Sequence, residues 1–232
     1  MIIRQLQPPT LGRTAPPPPL PRRIRLKLKR IYLDLTGPAV DREWRRIWPL
    51  IDTVPGYLLD GQERWLFDAA YALPSPANIV EIGSFKGRST CCLAFGCRGT
   101  GKRVFSVDSF NGNDIDFPTR NFFPEFSANI NRCGLSQHVE PVIGISDKIA
   151  RTWTKPIHLL FIDGSHVYED VLADFNGFFP HVVPGGIVAF HDVADYKPGP
   201  LRAWNETAKP LLTDAGCVDS LAYGRKVSPS QP

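Results

Sequence analysis

The chain has 232 residues, 43% hydrophobic and 22% charged, enough to bury one full-sized core and too apolar for a wholly disordered polymer. Its 19 glycines and 23 prolines show no three-residue period, which excludes collagen. The net charge of +4 hides an asymmetry: residues 1–30 hold eight Arg or Lys and no acid, leaving the remainder at −4, which disfavours a phosphate-tracking surface for nucleic acid.

No apolar run approaches the ~18 residues of a membrane helix, and the first residues lack the apolar stretch of a secretory signal. A soluble, cytoplasmic protein is expected. The five cysteines (Cys91, Cys92, Cys97, Cys133 and Cys217) are odd in number and lack CxxC spacing, as reduced thiols would.

In chain order, residues 8–21 hold seven prolines and favour extended polyproline conformations. With the basic stretch that follows, residues 1–30 read as a flexible Pro-rich arm, suited to peripheral contact with a membrane or a protein. Residues 31–74 read as a helical cover, with helices expected over 41–51 and 58–73. From residue 75 to 227 the pattern alternates short β-rich runs (78–82, 103–107, 139–143, 158–162, 186–190) with helical stretches (89–96, 124–133, 147–153, 167–179). Residues 228–232 read as a tail. Runs apolar almost throughout are strands covered on both faces, so the expectation is an α/β fold with a Rossmann-like, mainly parallel open sheet and helices on both faces.

Ligands of such sheets sit beyond the carboxyl ends of the strands. The first run ends in Glu81-Ile82-Gly83-Ser84-Phe85-Lys86-Gly87-Arg88-Ser89, where two glycines allow a tight turn and a helix start at Ser89 offers unpaired N–H groups. The spacing is GxxxG rather than the GxGxxG of dinucleotide folds, which speaks against a nicotinamide-dependent reductase. The second run ends at Asp108, placed to accept the hydroxyls of a ribose. The fourth ends in Asp163-Gly164-Ser165-His166 and the fifth in His191-Asp192. Two carboxylates and two imidazoles on one rim suit a divalent metal, proton abstraction, or both.

These residues resemble the class I S-adenosylmethionine-dependent methyltransferases, in the branch of the macrocin-type sugar O-methyltransferases and, more distantly, the catechol-type enzymes. The resemblance covers about residues 55–227 and rests on VEIGSFKGRST, VFSVDSF, LLFIDGSHVYEDVLADF and VPGGIVAFHDV in the family's order. Phe85 stands where the fuller loop has its middle glycine.

The resemblance implies S-adenosylmethionine as cofactor, with Glu81, Gly83, Ser84 and Gly87 around its methionine end. Phe85 and Ser89 belong to the same loop, Asp108 would hold the ribose, and Ser109 and Ser146 would lie near adenine. It implies metal ligation by Asp163, His191 and Asp192, with Asp163 also beside the cofactor. His166 would be the general base, with Asp163 and His191 in the catalytic set. His191 stands where relatives have an acid, which weakens the case for magnesium and opens the site to manganese, another softer ion, or none.

The implied activity is O-methylation of a hydroxylated small molecule, a sugar or glycosylated product ahead of a catechol. Trp44, Trp48, Tyr57 and residues 110–123 are the expected acceptor walls. The competing reading is a non-catalytic domain of the same fold that binds the cofactor or a partner. A homo-oligomer is left open.

Overall fold

The computed structural model describes residues 38–112 and 120–228. The chain divides into two compact units, residues 1–42 and 43–232. The second contains every strand among the described residues. The basic arm expected over residues 1–30 and most of the tail lie outside the described residues.

The elements run α1 (Ala39–Ile51), α2 (Gln62–Ala72), β1 (Asn78–Ile82), α3 (Arg88–Phe95), β2 (Arg103–Asp108), α4 (Phe123–Arg132), β3 (Val139–Ile143), α5 (Ser146–Ala150), β4 (Ile157–Ile162), α6 (Tyr168–Phe178), β5 (Val182–Phe190), α7 (Pro198–Ala203), β6 (Leu212–Val218) and β7 (Leu221–Lys226). α7 runs on into a π-helical turn, Trp204–Ala208. The sheet order is β3-β2-β1-β4-β5-β7-β6. β1 to β5 are parallel, and β7 inserts antiparallel between β5 and β6.

One face of the sheet buries Val80, Phe105, Leu160, Val188 and Phe190 against Val171, Phe175 and Phe178 of α6 and against Trp204. Removing a few hundred Å² of such surface from water contributes several kcal/mol at about 25 cal/mol per Å². α2 packs on α3, and their junction is closed by Lys102. This buried ammonium donates to the carbonyls of Ala70 (2.9 Å) and Tyr71 (2.7 Å), at the end of α2 where helical partners run out. Burial lowers its pKa.

Register explains why distant residues meet. Ile82 pairs with Val107 on one side and with Ile162 on the other, and Ile162 pairs with Phe190. The ladder continues one step past these ends: Gly83 N–H donates to Val107 O (3.0 Å), Asp163 N–H to Ile82 O (2.8 Å) and His191 N–H to Ile162 O (3.0 Å). Gly83, Asp163 and His191 therefore stand in a row at the carboxyl edge, where the strand order reverses between β1 and β4.

Candidate functional site: a cavity over the carboxyl edge

A cavity of about 940 Å³ opens above this edge. Gly83, Ser84, Phe85, Ser89, Asp108, Ser109, Ser146, Asp163, His166, His191 and Asp192, all expected on sequence grounds, line it. Glu81 and Gly87 do not. Glu81 is fully buried beneath the loop, and Gly87 faces Phe126.

The loop after β1 is built on left-handed backbone at Gly83 (φ 85°), Phe85 (φ 46°) and Gly87 (φ 90°). A Cβ at Gly83 would stand 2.2 Å from the Asp163 carbonyl oxygen, so only glycine lets β1 and β4 end side by side. Phe85 adopts left-handed backbone without being glycine, and ring contacts hold it: Phe122 at 4.8 Å, Tyr57 at 5.9 Å, and the Lys86 ammonium 5.2 Å above its face.

Asp108 fastens the loop. Its Oδ2 accepts from the N–H groups of Ser84 (2.7 Å) and Phe85 (2.9 Å), and its Oδ1 from Phe110 N–H (2.7 Å). The half-buried carboxylate still borders the cavity.

Below, Glu81 Oε2 accepts from the hydroxyls of Ser84 (2.8 Å), Thr90 and Ser106 (3.2 Å), while Oε1 has no partner. Burial pushes this carboxyl up to about 7 against the pull of Ser89, Thr90 and Ser84. A carboxyl whose folded pKa exceeds its unfolded value stabilises most below the unfolded value, here 4.5, and that contribution drains away as pH rises through about 7. Stability in urea is therefore expected to fall by about 2 kcal/mol from this group between pH 5.5 and 8. The decline should shrink in Glu81→Gln. An equal decline in both proteins would remove Glu81 as its source.

At the other end, Asp163, His191 and Asp192 offer ligand atoms all within 4.8 Å of one another. His191 Nδ1 lies 3.0 Å from Asp163 Oδ1 and 3.4 Å from Asp192 Oδ1, close enough for ion pairing, yet it makes no well-aligned hydrogen bond. Burial works against the imidazolium, but Asp163, with Asp192 behind it, outweighs burial and holds His191 up to about 10. Burial likewise opposes the charge on Asp192, and His166 and His191 outweigh it, holding that carboxyl well below the usual range.

His166 lies between opposite charges. Its Nε2 is 2.8 Å from Asp192 Oδ2, and its Nδ1 is 3.0 Å from the Lys197 ammonium. A carboxylate only accepts and an ammonium only donates, so Nε2 carries the proton and Nδ1 the lone pair.

Lys197, Gln62 and Asp174 are functional candidates that sequence reasoning missed. Lys197 lies in a stretch without periodicity, and Gln62 is 129 residues from the histidine it touches. Asp174 left a signal, since it shares the buried stripe of α6 with Val171, Phe175 and Phe178. Burial pushes it up to about 6, partly offset by a hydrogen bond from Ser146.

Tyr57, Phe110 and Phe122 wall the cavity. Trp44 and Trp48, expected to do so, line a separate hollow of about 240 Å³ with Asp60, Gly61, Glu63 and Arg64. The Trp44 ring packs on Phe67, a buried residue of α2, 5.4 Å away.

Comparison with known proteins bears on the whole arrangement. The demethylmacrocin O-methyltransferase of Streptomyces fradiae is 39% identical over 67 residues, 28% of this chain and 17% of that protein. The curated relatives it matches are spanned only in part, over 15%, 53% and 17% of their lengths. The solved structure of an O-methyltransferase from Bacillus cereus in complex with S-adenosylhomocysteine superposes with a TM-score of 0.60 at 18% identity, covering 87% of this chain and 97% of that one. A TDP-rhamnose 3′-O-methyltransferase of calicheamicin biosynthesis gives 0.57 at 21% identity, covering 88% and 94%. These two likenesses establish the Rossmann-like methyltransferase fold. Residues 80–193 match the family described as a methyltransferase domain, and they contain the glycine bend, Asp108 and the whole carboxylate–imidazole rim. Residues 80–193 thus form a domain of that family, within the class I S-adenosylmethionine-dependent methyltransferases.

Proposed function

We propose that this chain transfers a methyl group from S-adenosylmethionine to a hydroxyl of a small molecule, a sugar or glycosylated product before a catechol. The observation that carries the reading is one cavity bounded by the glycine bend and Asp108 at one end and by Asp163, His166, His191 and Asp192 at the other. Its volume suits a nucleoside and a small acceptor together. Half-exposed Ile145, beside Gly144 and Ser146, offers an apolar surface for a base. The sugar preference is supported by the rhamnose-modifying structural neighbour and the demethylmacrocin-methylating relative.

When bound, S-adenosylmethionine supplies an electrophilic methyl carbon. The protein's task is to align an oxygen behind it and take that oxygen's proton. Asp108 Oδ1, with one acceptor position spent on Phe110 N–H, has one left that would accept from a ribose hydroxyl. Asp192 holds the proton on His166 Nε2 and so fixes the ring, and Nδ1 takes the acceptor's proton once Lys197 turns its N–H from Nδ1 to the acceptor oxygen. The Lys197 ammonium, beside Nδ1, donates to the oxygen as negative charge grows on it.

The rim also fits a divalent cation. Two carboxylates and a buried imidazole nitrogen without an aligned hydrogen bond face a common point, and a divalent cation would take the place of the Nδ1 proton between the two carboxylates. Asp163, His191 and Asp192 would hold it, and it would supply Lewis acidity toward the acceptor hydroxyl.

Labelled S-adenosylmethionine with a panel of glycosides and polyols, assayed with and without chelator, tests this reading. Methyl transfer is expected, falling about 100-fold in kcat for His166→Ala. Full activity in that variant eliminates His166 as base. Cofactor binding without transfer to any hydroxyl would favour a non-catalytic domain. Among the described residues no helix is long and apolar enough to cross a membrane. The basic arm remains our proposed site for peripheral membrane or protein contact.

A further inference from the structure

Gln62, the first residue of α2, is fully buried and reaches His191 across 129 residues of sequence. Its amide orientation is fixed by three neighbours. Oε1 accepts from Leu59 N–H at 2.8 Å, while Nε2 donates to Val218 O at 3.3 Å and to Ser220 Oγ at 3.1 Å. Flipping the amide would set donor against donor at Leu59 and acceptor against acceptor at Val218. Oε1 is therefore the atom that faces His191 Nε2 at 2.9 Å, and only an N–H there can satisfy it.

The consequence falls on the other ring nitrogen. With one proton held on Nε2, Nδ1 is the nitrogen that can give up its own proton to a metal ion, and it is the buried atom directed between Asp163 Oδ1 and Asp192 Oδ1. Two carboxylate oxygens and an imidazole nitrogen form a donor set that first-row divalent transition ions, manganese among them, accept more readily than magnesium, which prefers oxygen throughout. A partner on the distal nitrogen fixes both the tautomer and the ring orientation of a ligating histidine.

We propose that Gln62 is a positioning residue: it keeps the proton on His191 Nε2 so that Nδ1 is offered, with Asp163 and Asp192, to a manganese-class ion in preference to magnesium. This rests on the metal-binding part of the proposed function.

Calorimetric titration of the chelator-treated full chain with manganese chloride and with magnesium chloride tests it. A nitrogen-15 histidine spectrum of the zinc-loaded chain reads which His191 nitrogen bears the proton. Wild type is expected to bind manganese at least 10-fold more tightly than magnesium. Gln62→Met, which removes the acceptor at similar size, should weaken manganese binding by about 10- to 100-fold. Ser220→Ala removes a partner of the amide nitrogen while leaving Oε1 in place, and should stay within about twofold. The spectrum should show the proton on Nε2 and the metal on Nδ1, an outcome that needs no variant to fold.

Unchanged manganese affinity in Gln62→Met, equal losses in Gln62→Met and Ser220→Ala, or a proton found on Nδ1 would overturn the role of Gln62 and leave the metal site standing. Absence of binding by either ion in wild type would overturn the metal reading and this proposal together, with cofactor binding untouched.

Discussion

Gly83→Ala is expected to cost at least about 3 kcal/mol of stability, at the upper end of overpacking effects, and to reduce affinity for S-adenosylhomocysteine by 100-fold or more. The added methyl carbon would lie 2.2 Å from the Asp163 carbonyl oxygen and 2.6 Å from Gly164 Cα, on backbone already at φ +85°. Those obstacles are backbone, so relief requires parting the ends of β1 and β4, the two strands between which the cavity opens. Gly87→Ala is the informative contrast. There the nearest atoms belong to the Phe126 ring at 3.1 Å, which can yield by a few tenths of an ångström, although φ +90° still disfavours alanine. Urea denaturation and calorimetric binding of both variants measure the difference. Equal, small effects would mean that the approach of β1 to β4 is looser than these distances require.

Asp108→Asn tests the fastener of the glycine bend. The native carboxylate accepts three backbone N–H groups, two on Oδ2 and one on Oδ1. An amide of the same size has one accepting oxygen, so its nitrogen must face at least one N–H donor. Leaving donors opposed or unpaired costs about 1–3 kcal/mol, with the loss of charge-assisted bonds adding to it. We expect S-adenosylhomocysteine affinity to fall by about 100-fold, with a stability loss of about 2 kcal/mol. Ser109→Ala, whose hydroxyl accepts a long hydrogen bond from Asn111 N–H at 3.4 Å, should change stability by less than about 0.5 kcal/mol. If Asp108→Asn binds the nucleoside as wild type does, the acid is neither fastener nor ribose acceptor.

Most of the five parallel strands were legible because their runs are apolar almost throughout, although β3 (VEPVI) buries only one residue in five. In β4 five of six residues are buried, and such runs bounded by glycine or acid admit few other interpretations. β6 and β7 were not foreseen. β6 (LTDAGCV) lies at the sheet edge with four of its seven residues exposed, so it lacks both the continuous run and a clean alternation.

The rim acids and histidines were legible for a topological reason, since each immediately follows a strand and parallel register brings strand ends together. What joins them was not legible. Gln62, Lys197 and Asp108's grip on three backbone donors depend on long-range placement and atomic orientation, which no spacing in a single sequence encodes. The tryptophans failed as predicted walls because the helical pattern gives a side chain a face but not a neighbour, and these two line a different hollow.

The account stands most directly on calorimetric titration of the wild-type chain with S-adenosylhomocysteine. Saturable one-to-one binding with a dissociation constant in the micromolar range is the predicted result. No heat of binding at millimolar nucleoside, from protein shown to be folded, would contradict it.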